Sequence, residues 1–168
     1  ENSNDDWEVQ MIDTGIKSMT GGRLHRLEKL LRPDDRFMMT YGDGLGDIDI
    51  SKLVSFHKEH GKIATMVAVR PPARFGSMTF NENQVLEFKE KPQTGEGWIN
   101  GGFFIFESEI FKYLHGDDTV LEADPLEKLA RDGQLMAYKH NGFWQCMDTL
   151  RDKIYLNKIF NEGSAPWK

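Results

Sequence analysis

Cysteine is almost absent. The 168 residues hold one, Cys146, so no disulfide closes within the chain, and a lone thiol is the usage of a reducing compartment. A cystine-stapled secreted domain is excluded and a cytoplasmic protein is expected. Proline is sparse, 6 against 16 glycines, and no repeat or low-complexity stretch is present, which excludes a fibrous or disordered chain. No apolar run approaches the roughly 20 residues that cross a bilayer. Glu1 to Trp7 is acidic and polar where a signal peptide is basic and then apolar, so no membrane is expected. Cations are in deficit: 21 Lys plus Arg against 27 Asp plus Glu leave a net charge of −6. That balance argues against a broad grip on nucleic acid and leaves room for a local basic pocket. What is there, 39% apolar, 29% charged and 11% aromatic residues, suits one globular domain or a piece of a larger one.

The patterning predicts an α/β fold. Trp7 to Ile12 alternates apolar and polar residues and reads as a strand running into the turn Asp13-Thr14-Gly15. A loop, Gly15 to Gly22, feeds a helix whose apolar face is Leu24, Leu27, Leu30 and Leu31, closed before Pro33. Arg36 to Tyr41 reads as a buried strand, and Asp49 or Ser51 caps a helix that stops at Gly61. Ile63 to Val69 is a second buried strand. Strands alternating with helices imply crossovers and a mostly parallel sheet. Beyond it, Ser77 to Phe80 and Val85 to Phe88 flank Asn81-Glu82-Asn83, a hairpin signal, so the sheet is mixed. A strand over Ile99 to Phe106, helices over Ser108 to Leu114 and Pro125 to Arg131, and a strand over Leu135 to Tyr138 follow. The last helix runs from Thr149 to Phe160, with Leu150, Ile154, Leu156 and Phe160 apolar.

Several groups of residues are candidates for chemistry. Asp43, between Gly42 and Gly44, ends a predicted strand, where open α/β sheets bind ligands; it is a candidate Mg²⁺ ligand or a turn acid. An EF-hand fails, because Ile48 and Val54 occupy its glycine and glutamate positions. Asp47-Ile48-Asp49 is either a glycosyltransferase metal pair or a helix cap. Pro92 holds Lys91 extended, where it neutralises a phosphate or protects a strand edge. Asn100-Gly101-Gly102 offers an amide beside bare backbone, suited to sugar hydroxyls or to a turn. Ser18, Thr20, Gly21, Gly22 and Arg23 open a helix as an anion loop with free N–H groups, although not in the Walker or dinucleotide spacing. Asp148 is a helix cap or a ligand. His57 and His60 share a helix face that reads as solvated, and Cys146 as a buried thiol.

Taken in order, several blocks resemble glucose-1-phosphate cytidylyltransferases: Asp13-Thr14-Gly15 with Ser18 to Leu24, Thr40 to Gly44, Arg74-Phe75-Gly76, Glu90-Lys91-Pro92, Asn100 to Phe104, and Gly142 to Gln145 with Met147 to Asp152. The resemblance runs nearly end to end. It implies a mixed, mainly parallel, Rossmann-like nucleotidyltransferase sheet with an added hairpin and helices. It also implies cytidylyl transfer from CTP to α-D-glucose 1-phosphate, which makes CDP-glucose for bacterial surface polysaccharides. The family's Gly-Gly-x-Gly-Thr-Arg loop and its Lys-Pro segment are missing from these 168 residues. Residues 1–168 are therefore expected to be the carboxyl-terminal portion of a single nucleotidyltransferase domain with an exposed apolar sheet edge.

The resemblance assigns roles residue by residue. Asp43 and Asp148 would hold Mg²⁺, and Lys91 would pair with the sugar phosphate. Glu90 and Asn100 would bind glucose hydroxyls. Ser18, Gly21, Gly22, Arg23 and Gly42 would line the nucleotide site, and Gly76 and Gly101 would allow close backbone approach. The partners implied are CTP and glucose 1-phosphate, without nucleic acid or membrane, and with a homo-oligomer left open. The rival readings are a non-catalytic sugar-nucleotide-binding or assembly module and a glycosyltransferase using Asp47 and Asp49.

Overall fold

The computed structural model describes residues 7–71, 77–89 and 97–168. Strands β1 (Arg36–Thr40), β3 (Ala64–Val69), β6 (Ile99–Glu107) and β7 (Leu135–Lys139) form a sheet in the order β1-β6-β3-β7. Pairs β1–β6 and β3–β6 are antiparallel and β3–β7 is parallel. Three of the four strands thus run the same way, with β6 inserted against them. That is the mixed sheet expected, although antiparallel pairs outnumber parallel ones because β6 sits between its two codirectional neighbours. Strands β2 (Gly44–Gly46) and β8 (Trp144–Cys146) make a separate antiparallel ribbon, and β4 (Ser77–Asn81) with β5 (Gln84–Lys89) makes the expected hairpin.

Helix α1 (Thr20–Arg26) starts three residues earlier than the loop reading predicted, and α2 (Glu28–Leu31) follows after Leu27 leaves helical geometry. The four leucines therefore do not share one helix face, and Leu30 stays exposed. Helix α3 (Ile50–His60) begins as expected, with Asp49 accepting from the Lys52 N–H at 3.0 Å, and ends at Gly61, whose φ of 60° suits glycine. Helices α4 (Asp124–Arg131) and α5 (Leu150–Asn161) complete the chain. On α5 Leu156 is buried, whereas Leu150 and Ile154 are exposed, against the single apolar face expected.

The core lies on both faces of β3 and β6. On one side Phe104, Phe106, Ile110, Leu121 and Leu129 pack together; on the other Leu53, Val67, Val69 and Ile105 do. β1 is an outer strand, so it is half-buried rather than buried as predicted, and Met38 is 58% exposed. Trp7 to Ile12 forms no strand: among the described residues no neighbouring strand satisfies its backbone, and Trp7 is 80% exposed. No helix of the described residues is long and apolar enough to cross a membrane.

His57 overturns the solvated reading, for it is fully buried at the far end of the sheet from Asp43. The Glu107 carboxylate, which also takes the Arg36 guanidinium, accepts from His57 Nε2 at 3.0 Å. His57 Nδ1 therefore accepts from the Thr65 hydroxyl at 2.7 Å, Thr65 accepts from His60 Nε2 at 2.7 Å, and His60 Nδ1 accepts from the Lys62 N–H. Every ring nitrogen has one role, and both imidazoles are neutral. Burial, partly offset by Glu107, holds His57 below the ordinary imidazole range; burial and the neighbouring His57 and Lys62 do the same for His60. The folded state then binds these protons less tightly than the unfolded chain. Stability is full above the ordinary imidazole value of about 6.5 and is lost as pH falls from there through the lower folded values. Thermal unfolding at pH 7.5, 6.5 and 5.5 is expected to show a falling Tm in the wild type and a shallower fall in His57→Gln. Equal slopes would refute the role.

Candidate active site

The carboxyl ends of β1, β3 and β7 and the start of β6 meet at one end of the sheet. A cavity of about 360 Å³ opens there, lined by Tyr41, Asp43, Asn100, Gly101, Trp144 and Asp148, among others. Gly42-Asp43 is the turn between β1 and β2, which puts the Asp43 carboxylate just past a strand end. Asp148 comes from the other side of the ribbon. Gly44 pairs with Cys146, and the Met147 N–H donates to the Asp43 carbonyl at 2.8 Å, so the ladder that joins β2 to β8 delivers both acids to one cavity. The cap reading of Asp148 fails, since Thr149 caps α5 in a reciprocal box with Asp152.

The neighbours of these acids are fixed by the same ribbon. The Trp144 indole N–H donates to the Gly101 carbonyl at 2.9 Å. Asp47 accepts from His140 Nε2 at 2.8 Å, and Asp49 is committed to its helix cap. Both members of the proposed glycosyltransferase pair are thus engaged, on separate partners. Asn100 is partly used, because its Oδ1 accepts from the Gly102 N–H at 2.8 Å. The Tyr41 hydroxyl donates in turn to Glu122, whose other oxygen accepts from Thr20 at 2.7 Å. Burial and the Glu122 carboxylate push the Tyr41 phenol well up, so it remains a donor. Glu122 carried no signal in the sequence, and Tyr41 was read only as part of a strand and of the Thr40 to Gly44 block, without a role of its own.

The glycines divide sharply. A Cβ at Gly42 would meet nothing within 4 Å, so that backbone is open to a ligand. At Gly101 it would lie 2.8 Å from a Val69 methyl, and at Gly22 only 2.2 Å from the Asp117 carbonyl oxygen. Gly101, Gly21 and Gly22 are therefore needed for packing of the protein on itself. The anion loop is altered likewise: the N–H groups of Ser18, Met19 and Gly22 donate to the carbonyls of Gly15, Asp117 and Thr119, so they are not free as predicted. Ser18 is buried, and Arg23 bonds the Thr14 hydroxyl at 3.0 Å. Gly76, Glu90 and Lys91 lie outside the described residues.

The profile of the family described as Nucleotidyl transferase matches residues 20–154. The chain belongs to that family. Over 162 residues this nucleotidyl transferase chain is 49% identical to a glucose-1-phosphate cytidylyltransferase of Salmonella typhimurium, covering 96% of the chain and 63% of that protein. It is 32% identical over 150 residues to the catalytic subunit beta of a mannose-1-phosphate guanylyltransferase of Dictyostelium discoideum, covering 83% of the chain and 42% of that protein. Among solved structures, HddC from Yersinia pseudotuberculosis complexed with GMP-PN matches the nucleotidyl transferase fold with a TM-score of 0.65 at 21% identity, over 89% of the chain and 65% of that one. The chain spans less than two thirds of the length of these relatives.

Proposed function

We propose that this site serves cytidylyl transfer from CTP to α-D-glucose 1-phosphate, giving CDP-glucose and pyrophosphate. The observation that carries the reading is the convergence of Asp43 and Asp148 on one cavity at the carboxyl end of β1. The 49% identical Salmonella relative supports the choice of sugar and base. In the reaction an oxygen of the sugar phosphate forms a bond to the α-phosphorus of CTP. The bond to the bridging oxygen breaks, and pyrophosphate leaves with the electron pair. The work of the protein is to position two anions and to stabilise the charge that develops.

A divalent ion fits these donors. Mg²⁺ ordinarily takes one or two carboxylates together with substrate phosphates, not an all-protein cage. Among the described residues no group of three or more His, Cys, Asp or Glu gathers to form such a cage. When bound between Asp43 and Asp148, Mg²⁺ would neutralise phosphate charge. Lys91 would pair with the sugar phosphate, Glu90 and Asn100 would bind glucose hydroxyls, and Gly76 would allow close approach. Ser18, Arg23 and the open backbone at Gly42 would line the nucleotide side. The lone cysteine and the family point to a cytoplasmic enzyme feeding surface polysaccharide synthesis, working without nucleic acid or membrane and with a homo-oligomer open.

The test is direct. Protein, CTP, glucose 1-phosphate and Mg²⁺ are expected to release pyrophosphate, and UTP or GTP to release less. Equal release from all three would overturn the choice of base. No release with CDP-glucose still bound would favour the non-catalytic binding module.

A further inference from the structure

We propose that Arg70 and Lys139, drawn against the Trp98 indole, form a capture site for a phosphate monoester at the rim of the candidate cavity. The onward passage of the ester into the cavity rests on the proposed transfer reaction; its capture at the rim does not. Strand register builds the site. Val69 of β3 pairs with Ile99 of β6, so one residue further Arg70 comes across from Trp98. Ala68, two residues before Arg70 and therefore on the same face, pairs with Lys139 of β7. Three long side chains thus share one face at the carboxyl ends of β3 and β7. The Arg70 guanidinium carbon lies 4.7 Å and the Lys139 ammonium 5.6 Å from the centre of the Trp98 ring, within the range of cation–π attraction. Pro71 and Ile99, the next residues in sequence after Arg70 and Trp98, line the cavity, which puts the trio at its rim.

The charges point to an anion. Acids are in excess in this chain, 27 against 21 Lys plus Arg, and Arg26, Arg32, Arg36 and Arg131 each meet a carboxylate. Among the described residues Arg70 and Lys139 meet none, although both are exposed, and both rest on the same neutral ring. The indole orders the two cations without neutralising them, which lowers the cost of fixing them around a ligand. A phosphate monoester brings a double charge and three acceptor oxygens, enough for both. The charged side chains among the described lining residues are Asp43 and Asp148, which repel an incoming phosphate, so the pair at the rim supplies the opposite sign. Location favours the sugar phosphate over the nucleotide. Arg23, on the proposed nucleotide side, shares a groove with Phe37 and Met39 of β1, whereas the trio stands by β3 and β7 across the sheet.

Calorimetric titration with glucose 1-phosphate, inorganic phosphate and CTP in turn, with chelator present and no divalent ion, tests the site without catalysis. The variants are Arg70→Gln, Lys139→Gln and the pair together, all at exposed positions, with thermal unfolding as the check on the fold. The double variant is expected to bind glucose 1-phosphate and inorganic phosphate roughly tenfold more weakly than wild type, and CTP within about twofold of it. Raising the salt is expected to weaken wild type more than the double variant. A loss for CTP alone would overturn the sugar-phosphate assignment. Wild-type protein that binds no phosphate ester, or a double variant that binds glucose 1-phosphate like wild type, would overturn the capture site even where pyrophosphate release is normal. Binding lost in the variants, with no pyrophosphate release from wild type, would uphold the capture site and overturn the transfer reading.

Discussion

Asp43→Asn is expected to lower pyrophosphate release by roughly 10²-fold or more, and Asp148→Asn by a similar factor, because either change removes half of the negative charge the protein offers a divalent ion. The geometry adds a sharper expectation. On the proposed reading both acids serve one ion through one ribbon, so the double variant is expected to be little worse than either single, as groups that act as a unit are strongly non-additive. Losses that multiply would mean two independent roles. Substitution by asparagine keeps size and shape, and Asp43 is exposed, so Asp43→Asn is expected to change stability by no more than about 0.5 kcal/mol. Thermal unfolding of the same samples separates a lost ligand from a lost fold.

Gly22→Ala is expected to cost about 2–3 kcal/mol, read as a fall in the unfolding midpoint, whereas Gly42→Ala is expected to leave stability within about 0.5 kcal/mol. At Gly22 the added methyl would sit 2.2 Å from the Asp117 carbonyl oxygen and 2.6 Å from its carbon, and neither backbone atom can swing aside. Relief would require α1 to lift from the segment that follows Asp117, breaking the Gly22 to Thr119 hydrogen bond of 3.0 Å. At Gly42 there is only open space. A stable Gly22→Ala protein would show that α1 can shift, and would restore the view that these glycines exist for a ligand.

The elements with strong local signals were legible in the sequence. Asp49 and Gly61 bracket α3 as read, the turn at Asn81-Glu82-Asn83 joins β4 to β5, and the strand and helix cores from Ile99 to Arg131 lie where their patterns put them. What was not legible depends on partners distant in sequence. The alternation of Trp7 to Ile12 is a proper strand pattern, but a strand exists only through a neighbour's hydrogen bonds, and the described residues offer none. His57 looked solvated because its burial comes from Thr65 and Glu107, on strands the helix pattern does not reveal. At the candidate site, Asp43 was legible from its position after a strand. Asp148 emerged only by resemblance, since spacing alone favoured a cap that Thr149 in fact provides. Glycines were the least informative: Gly22 and Gly42 look alike in sequence and meet opposite surroundings.

The pairing of Gly44 with Cys146 also fixes when the ribbon can form. Joining positions about a hundred residues apart carries a loop-closure cost that three residue pairs cannot offset. β3, β6 and β7 must first draw the ends together, so the two acids come into register late, after the sheet has assembled. A nascent or half-folded chain therefore holds no paired carboxylates to sequester a divalent ion.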